Sequence, residues 1–414
     1  MQWSNRVMLR LLTENSLDRE VKSMEEWKEI KVGDIGRVIT GKTPKTSNST
    51  YYGGNIPFLT PSDDMSVKYV RDTKKHITEE GRNSVKNATL PANAICVSCI
   101  GSDLGKVVIT TKETVTNQQI NSIIVDETKF DVDYIYYAMI ELGKVLNFHS
   151  KTSTAVPIVN KSSFSQYAIL CPPLNVQKKI GTLLSSIDRK IEANEDINNN
   201  LEQQMSALYK SWFVDYTPFD GIKPETWIES DIYSISNIIY GAPFKSKLFN
   251  TEKIGKPIIR IRDLKEQAFV TYTTEEHPKG YSLQYGDIVV GMDGEFRPYI
   301  WGNEEAWLNQ RVCVFNNKRQ KGKAFLLYTL KPLLNHIEQT QVATTVIHIG
   351  KKDFDAFKLY LPDNKVLDEF DEITSPMIWQ IVNNSLENKR LAILRDSLLP
   401  KLMSGEIDVS EITI

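Results

Sequence analysis

The chain holds little that would let it do metal or covalent chemistry. Its 414 residues include 4 cysteines and 5 histidines. Cysteines so few exclude a disulfide framework. Cys96 and Cys99 form a C-x-x-C, but inside the apolar run "NAICVSCIG", and no second pair completes the four ligands of a structural zinc site. The histidines are scattered, with none in a pairing suited to catalysis. No apolar run approaches the roughly 20 residues of a membrane helix. The first residues, "MQWSNRVMLRLLTENSLDRE", carry scattered charges and no small-residue cleavage site, so they do not read as a signal peptide and a cytoplasmic location is expected. An excess of one charge is also missing: 50 Lys and Arg face 52 Asp and Glu. That excludes a uniformly basic coat but not local basic patches.

What is present is a long internal repeat. "WKEIKVGDIGRVITGKTPKT" from Trp27 aligns with "WIESDIYSISNIIYGAPFKS" from Trp227, pairing Ile35 with Ile235, Ile39 with Ile239 and Gly41 with Gly241. Pro57 and Asp63 face Pro257 and Asp263 at the same offset of 200. Further on the offset drops to 190, pairing Lys161 with Lys351, Phe164 with Phe354 and Pro172 with Pro362. Two long divergent copies imply two heads rather than a solenoid.

The repeat settles a misleading motif. Residues 36–43, "GRVITGKT", satisfy the phosphate-loop pattern G-x-x-x-x-G-K-[ST]. The second copy reads "SNIIYGAP", without the lysine or the first glycine. A phosphate loop also needs a helix to begin at the Lys-Thr, whereas Pro44 turns Thr43 away from helical geometry. The string is a strand running into a polar turn.

Each copy divides into a head and a stalk. The heads alternate short apolar runs such as "KVVIT", "INSIIV" and "GDIVVGM" with Gly, Pro, Asn and Asp, the mark of strands. "DVDYIYYAMIELGKVL" has helical spacing. In the first stalk Ile180, Leu184, Ile187, Ile191, Asn194, Asn198, Leu201, Met205, Leu208 and Trp212 recur in steps of three and four, the pattern of a coiled coil. The second repeats it through Phe370, Met377, Ile381, Asn384, Asn388, Leu391, Leu398 and Leu402. The matched asparagines would fix register. A helix of ~40 residues would span ~60 Å, and two in one chain most simply pair with each other, antiparallel if each head connects at the opposite end.

Two heads on a rigid spacer suit a long two-part ligand. DNA fits, since half-sites one turn apart lie ~34 Å centre to centre. Seven basic residues against two acidic occupy Tyr240–Lys265, and ten against six occupy Lys31–Lys86. Basic groups suit phosphates, and polar amides and Arg suit base edges.

Through "GDIGRVITGKTPKT", "IPFLTPSD", "TNQQIN", "CPPLNVQKKIGTLLSSIDRKIEANEDINNNLEQQMSALYKSWFVDYTPF" and "LENKRLAILRDSLLPKLMSGEIDV", the chain resembles the specificity subunits of Type I restriction–modification enzymes. The resemblance implies an α+β fold: two mixed α/β target-recognition domains in pseudo-twofold arrangement, separated by an antiparallel two-helix coiled coil. The boundaries become an N-terminal extension (1–26), head 1 (27–172), spacer helix 1 (173–216), head 2 (217–362), spacer helix 2 (363–405) and a C-terminal tail (406–414). It further implies that each head reads one half of a bipartite double-stranded DNA site, and that the helices set the gap and dock two modification (methyltransferase) subunits, joined by restriction subunits. The chain itself would be non-catalytic and carry no cofactor; S-adenosylmethionine, ATP and Mg would belong to the partners. The residues agree. The string nearest to an amino-methyltransferase motif is "DYTPF", with the wrong spacing, and no Gly-rich cofactor loop opens a helix.

Candidates for DNA contact lie in polar loops after strands: Lys42, Thr43, Lys45, Ser98, Ser102, Lys106, Gln118 and Lys151 in head 1, and Lys245, Lys247, Arg260, Arg262, Glu295, Arg297, Arg311 and Lys351 in head 2. Arg297 stands first, in a Gly-flanked loop read as flexible that also carries Asp293. The alternatives are a protein–protein adaptor with two binding heads, or a self-sufficient DNA-modifying enzyme.

Overall fold

A computed structural model describes residues 27–101, 104–151, 158–340, 348–409 and 412. The expected N-terminal extension and Ser102 lie outside these residues. The chain divides into two compact units, residues 1–189 with 392–414, and residues 190–391.

In the first unit the main sheet has the order Gly36–Thr40, Ile120–Val125, Ile95–Ser98, Val107–Thr110, Tyr69–Val70. All pairs are antiparallel except the last. Successive side chains of a strand alternate faces, and here both faces are covered. Ile95, Val97, Val107 and Ile109 pack with helix α1 (Val132–Lys151) through Tyr134, Tyr137 and Met139. Cys96, Val108 and Ile120 pack on the opposite side with Leu59, Leu90 and Met65. Burial on both faces explains why these strands read as unbroken apolar runs. A second sheet has the order His76–Ile77, Tyr52–Leu59, Thr114–Thr116, Thr89–Leu90.

The second unit repeats this plan. Its main sheet runs Ser236–Tyr240, Val312–Asn317, Ile288–Gly291, Pro298–Ile300. Ile288, Val290, Cys313 and Phe315 face one core, and Val289, Val312 and Val314 the other. In its second sheet Lys256–Ile259 pairs in parallel with Trp307–Leu308, as Tyr52–Leu59 does with Thr114–Thr116 in the first unit. Asp263 accepts from the Arg260 amide at 3.1 Å as Asp63 does from Thr60 at 2.8 Å, and Phe164 and Phe354 are both fully buried. In each unit a further strand pair, Lys28–Lys31 with Ala168–Cys171 and Ile228–Asp231 with Lys358–Leu361, brings the start of the head against its end.

Two helices of 40 residues follow the heads, α2 (Leu174–Phe213) and, after the head-2 helix α3 (Lys323–Thr340), α4 (Asn364–Met403). Within the second unit they pair antiparallel through the repeated asparagines. Asn194 Nδ2 donates to Asn388 Oδ1 and to Glu387 Oε2, each at 2.8 Å, and Asn384 Nδ2 donates to Asn198 Oδ1 at 2.8 Å. Asn194 and Asn384 are buried, so each carboxamide needs a partner and the register that supplies one is selected. Within the first unit Arg395 meets Asp188 at 2.8 Å in the same antiparallel sense.

The separation into head and stalk needs one correction. Ile180 and Leu184 of α2 and Leu399 and Leu402 of α4 belong to the first unit's core, together with Val409 beyond the helix. Met205 of α2 and Phe370, Ile378 and Ile381 of α4 belong to the second unit's. The apolar stripe thus serves as head core at its ends and as a helix–helix seam around the asparagines, and both uses need the same helical period.

Candidate nucleic-acid interface

In head 1 the main-sheet strand of the false phosphate loop, and in head 2 the matching strand, ends at a glycine pressed against a turn. The Gly41 amide donates to Ile120 O at 3.0 Å and the Lys42 amide to Thr116 O at 2.8 Å. Gly241 and Ala242 make the corresponding bonds to Val312 O and Leu308 O, at 2.9 and 3.1 Å. A Cβ on Gly41 would lie 2.1 Å from Asn117 O, and one on Gly241 1.9 Å from Asn309 O. The glycines are required by backbone approach, not by phosphate.

These bonds fix a residue-by-residue equivalence: "TNQQI" (Thr116–Ile120) occupies the place of "LNQRV" (Leu308–Val312). The next layer confirms it. The Cys99 amide donates to Gln119 O and the Met292 amide to Arg311 O, both at 2.8 Å. The Val159 amide donates to Cys99 O and the Ile349 amide to Met292 O, both at 2.9 Å. Ile100 bridges Ile158, and Asp293 bridges His348. Gln119, Ile100 and Ile158 of head 1 therefore stand where Arg311, Asp293 and His348 stand in head 2.

The edge so built presents different chemistry in each head. In head 1 Lys42, Lys45 and Gln118 are exposed. Thr43 Oγ1 donates to Gln118 Oε1 at 2.7 Å, so these two candidates are brought together from 75 residues apart. Asn117 Nδ2 holds Gln119 Oε1 at 2.8 Å. Lys106 is exposed on the neighbouring turn. Ser98 is a correction: it is fully buried, and its Oγ accepts from the Lys106 amide at 2.9 Å, so it closes the hairpin rather than facing a ligand. Lys151 is the last residue of α1, and its side chain lies outside the described residues.

In head 2 Asp293 Oδ1 is 2.6 Å from His348 Nδ1 and 3.7 Å from Arg311 Nη1. Glu295 and Arg297 pair with each other at 3.0 Å and are both mostly exposed. The loop that carries them is anchored, contrary to the flexible loop expected. Phe296 is 2% exposed within the head-2 core, and its amide donates to Glu338 Oε1 of α3 at 2.5 Å. Arg260 is half-buried, bonded to Thr271 Oγ1 and 3.8 Å from the buried Asp263, which makes it a brace for its strand. Arg262, Lys245 and Lys247 are exposed, and the Lys245 amide donates to Glu275 at 2.7 Å. Lys351 pairs with Asp355 at 2.9 Å, one turn along its short helix.

Gln119 and His348 join the edge without being among the residues expected there. The recurrence of Asn-Gln at Asn117–Gln118 and Asn309–Gln310, at an offset of 192, was the available signal for the first. His348 had none, because its partner is 55 residues away. Among the described residues no group of three or more His, Cys, Asp or Glu could hold a metal ion, and no helix is long and apolar enough to cross a membrane.

Comparison with known proteins gives this geometry a context. The model of the family described as Type I restriction modification DNA specificity domain matches residues 24–203 and again 224–389, one match over each copy of the repeat. The chain is 27% identical to the Type I restriction enzyme MjaIX specificity subunit of Methanocaldococcus jannaschii, over 94% of this chain and 96% of that one. It is 23% identical to the HindI specificity subunit of Haemophilus influenzae, over 93% and 100%. Among solved structures it shares its fold with a Type I restriction–modification S subunit from M. genitalium, with a TM-score of 0.56 and 17% identity over 91% of this chain and 96% of that one. The chain belongs to the Type I restriction modification DNA specificity domain family.

Proposed function

We propose that the chain is the sequence-reading subunit of a Type I restriction–modification complex. Each head reads one half of a bipartite site in double-stranded DNA. The paired helices set the gap and dock two modification subunits, with restriction subunits completing the assembly in the cytoplasm. The chain performs no chemistry; methyl transfer from S-adenosylmethionine and ATP- and Mg-dependent cleavage take place on the partners.

One observation carries this reading. The same strand edge is built twice to the same hydrogen-bond plan, and its side chains differ at matched positions: Lys42 and Thr43 against Ala242 and Pro243, Gln119 against Arg311, Ile100 against Asp293. A conserved scaffold with divergent tips suits two readers of unlike sequences. Base edges are told apart by the hydrogen-bonding groups that face them, and loops on a rigid sheet can vary without cost to the core.

The test is to purify the chain with its modification subunits and map methylated positions in random-sequence DNA. A two-part consensus is expected, with binding that weakens log-linearly as salt rises. Binding without sequence preference, or a salt-independent complex with protein alone, would favour the adaptor reading. Methylation by the chain alone with S-adenosylmethionine would favour a self-sufficient enzyme.

A further inference from the structure

We propose that Arg311 reads a guanine in the half-site of the second head, oriented for it by Asp293 and His348; this rests on the DNA-reading function above. The backbone is the first indication. Arg311 has φ of +69°, in the left-handed region that residues with a Cβ seldom enter. Bonds on both sides hold it there, from the Met292 amide to its carbonyl at 2.8 Å and from the Gln310 amide to Ala242 O at 2.9 Å. Strain of this kind gathers at functional sites.

The side chain is the second indication. Arg311 is 55% exposed, and one end of its fork approaches Asp293, a carboxylate only 22% exposed and itself fixed by His348 at 2.6 Å. A phosphate contact gains nothing from such a carboxylate, which repels the phosphate and offsets the positive charge of the guanidinium. A base edge is uncharged, and what it demands is orientation. Guanine presents O6 and N7 side by side in the major groove, the pair of acceptors that a held guanidinium fork matches.

The third indication is the other head. At the three matched positions head 1 has Gln119, Ile100 and Ile158 on the same backbone bonds. The scaffold therefore does not need the charged trio to fold, and its presence in one head alone is what a determinant of one half-site requires.

The experiment uses the full chain assembled with its modification subunits, and duplexes carrying each base pair at every position of the mapped site. Arg311→Gln should lose roughly tenfold to a hundredfold discrimination at one G·C pair of one half-site, with the other half-site and the salt slope little changed. Arg311→Gly, which suits the backbone conformation and guards against misfolding, should lose it too. Asp293→Asn and His348→Gln should each lose roughly threefold to tenfold at the same pair, and nothing more when added to Arg311→Gln. A uniform loss over all sequences with a shallower salt slope would make Arg311 a phosphate contact and overturn the proposal. So would unchanged discrimination, or a half-site without a G·C pair. Failure of the underlying function would appear separately, as a wild-type complex with no sequence preference at all.

Discussion

The two heads follow one plan, yet each holds its helical segments by different chemistry. In the first unit a buried polar network joins the apolar contacts of Ile180, Leu184, Leu399 and Leu402. Lys68, 6% exposed, reaches Asp133 and Ser185, both at 2.7 Å, and lies 4.7 Å from the centre of the Tyr137 ring. Tyr137 bonds Asp188 of α2, which pairs with Arg395 of α4 at 2.8 Å. In the second unit the grip is aromatic: Tyr209 and Phe213 of α2 meet Phe325 of α3 and Phe370 of α4, with ring centres 4.9–6.4 Å apart. The aromatic cluster gains from area buried. A buried polar network gains little net stability, but it accepts only the geometry that satisfies every member. The pairing teaches that duplication preserved the sheet scaffold and left the junctions free to diverge.

The comparison can be broken at its strongest point first. Phe370 is fully buried in the second unit's core, against the rings of Tyr209, Trp212 and Phe213. Phe370→Ala should destabilise that unit by about 3–5 kcal/mol, seen as a lower denaturant midpoint; a loss under 1 kcal/mol would mean that the cluster is not what holds the helices there. Next, Lys68→Met leaves Asp133 without its cation and should cost the first unit about 2 kcal/mol, less than a fully enclosed pair because Asp133 keeps access to water. Burial pushes the Lys68 ammonium below its ordinary 10.5, against the pull of Asp133. In the window below 10.5 the unfolded chain therefore binds more protons than the folded one, and wild-type stability relative to Lys68→Met should rise as pH climbs through it. A relative stability that falls there would reverse the assignment.

Two matched substitutions sharpen the likeness between heads. Gly41→Ala and Gly241→Ala each drive a methyl into a backbone carbonyl, at 2.1 and 1.9 Å, and should cost similar amounts, about 1–3 kcal/mol. A large cost in one head alone would break the equivalence. Arg297→Ala should give a smaller change, a fall of a few-fold in methylation of the cognate site with assembly intact, because the side chain pairs with Glu295 at an exposed tip. The smallest effect concerns the thiols. All four cysteines are buried, and burial pushes Cys96 up to about 12, so the native chain should resist alkylation at pH 8 and react once unfolded.

Much of this was legible in the chain. The duplication was visible as repeated Trp, Ile, Gly and Phe at fixed offsets, because those positions sit where the scaffold has no room to vary. The helices were visible because one apolar stripe of period near 3.6 runs through both uses of the surface. The misreadings are as instructive. Ser98 looked like a loop residue because a hydroxyl in an apolar run suggests the end of a strand; the hairpin amide that satisfies it is eight residues away. The 291–297 loop looked flexible because glycines flank it; the Glu338 carboxylate that fastens it belongs to a helix 42 residues on.

Sequence alone determined the two copies, the strand and helix periods and the asparagine register, since each is a local pattern or a comparison of the chain with itself. Only the tertiary structure decided what the reading edges carry. It set Arg311 beside Asp293 and His348, and in head 1 Gln119 beside Ile100 and Ile158. Those meetings depend on sheet register between segments far apart in the chain, and register is fixed by packing against both cores at once, which no single stretch of residues records.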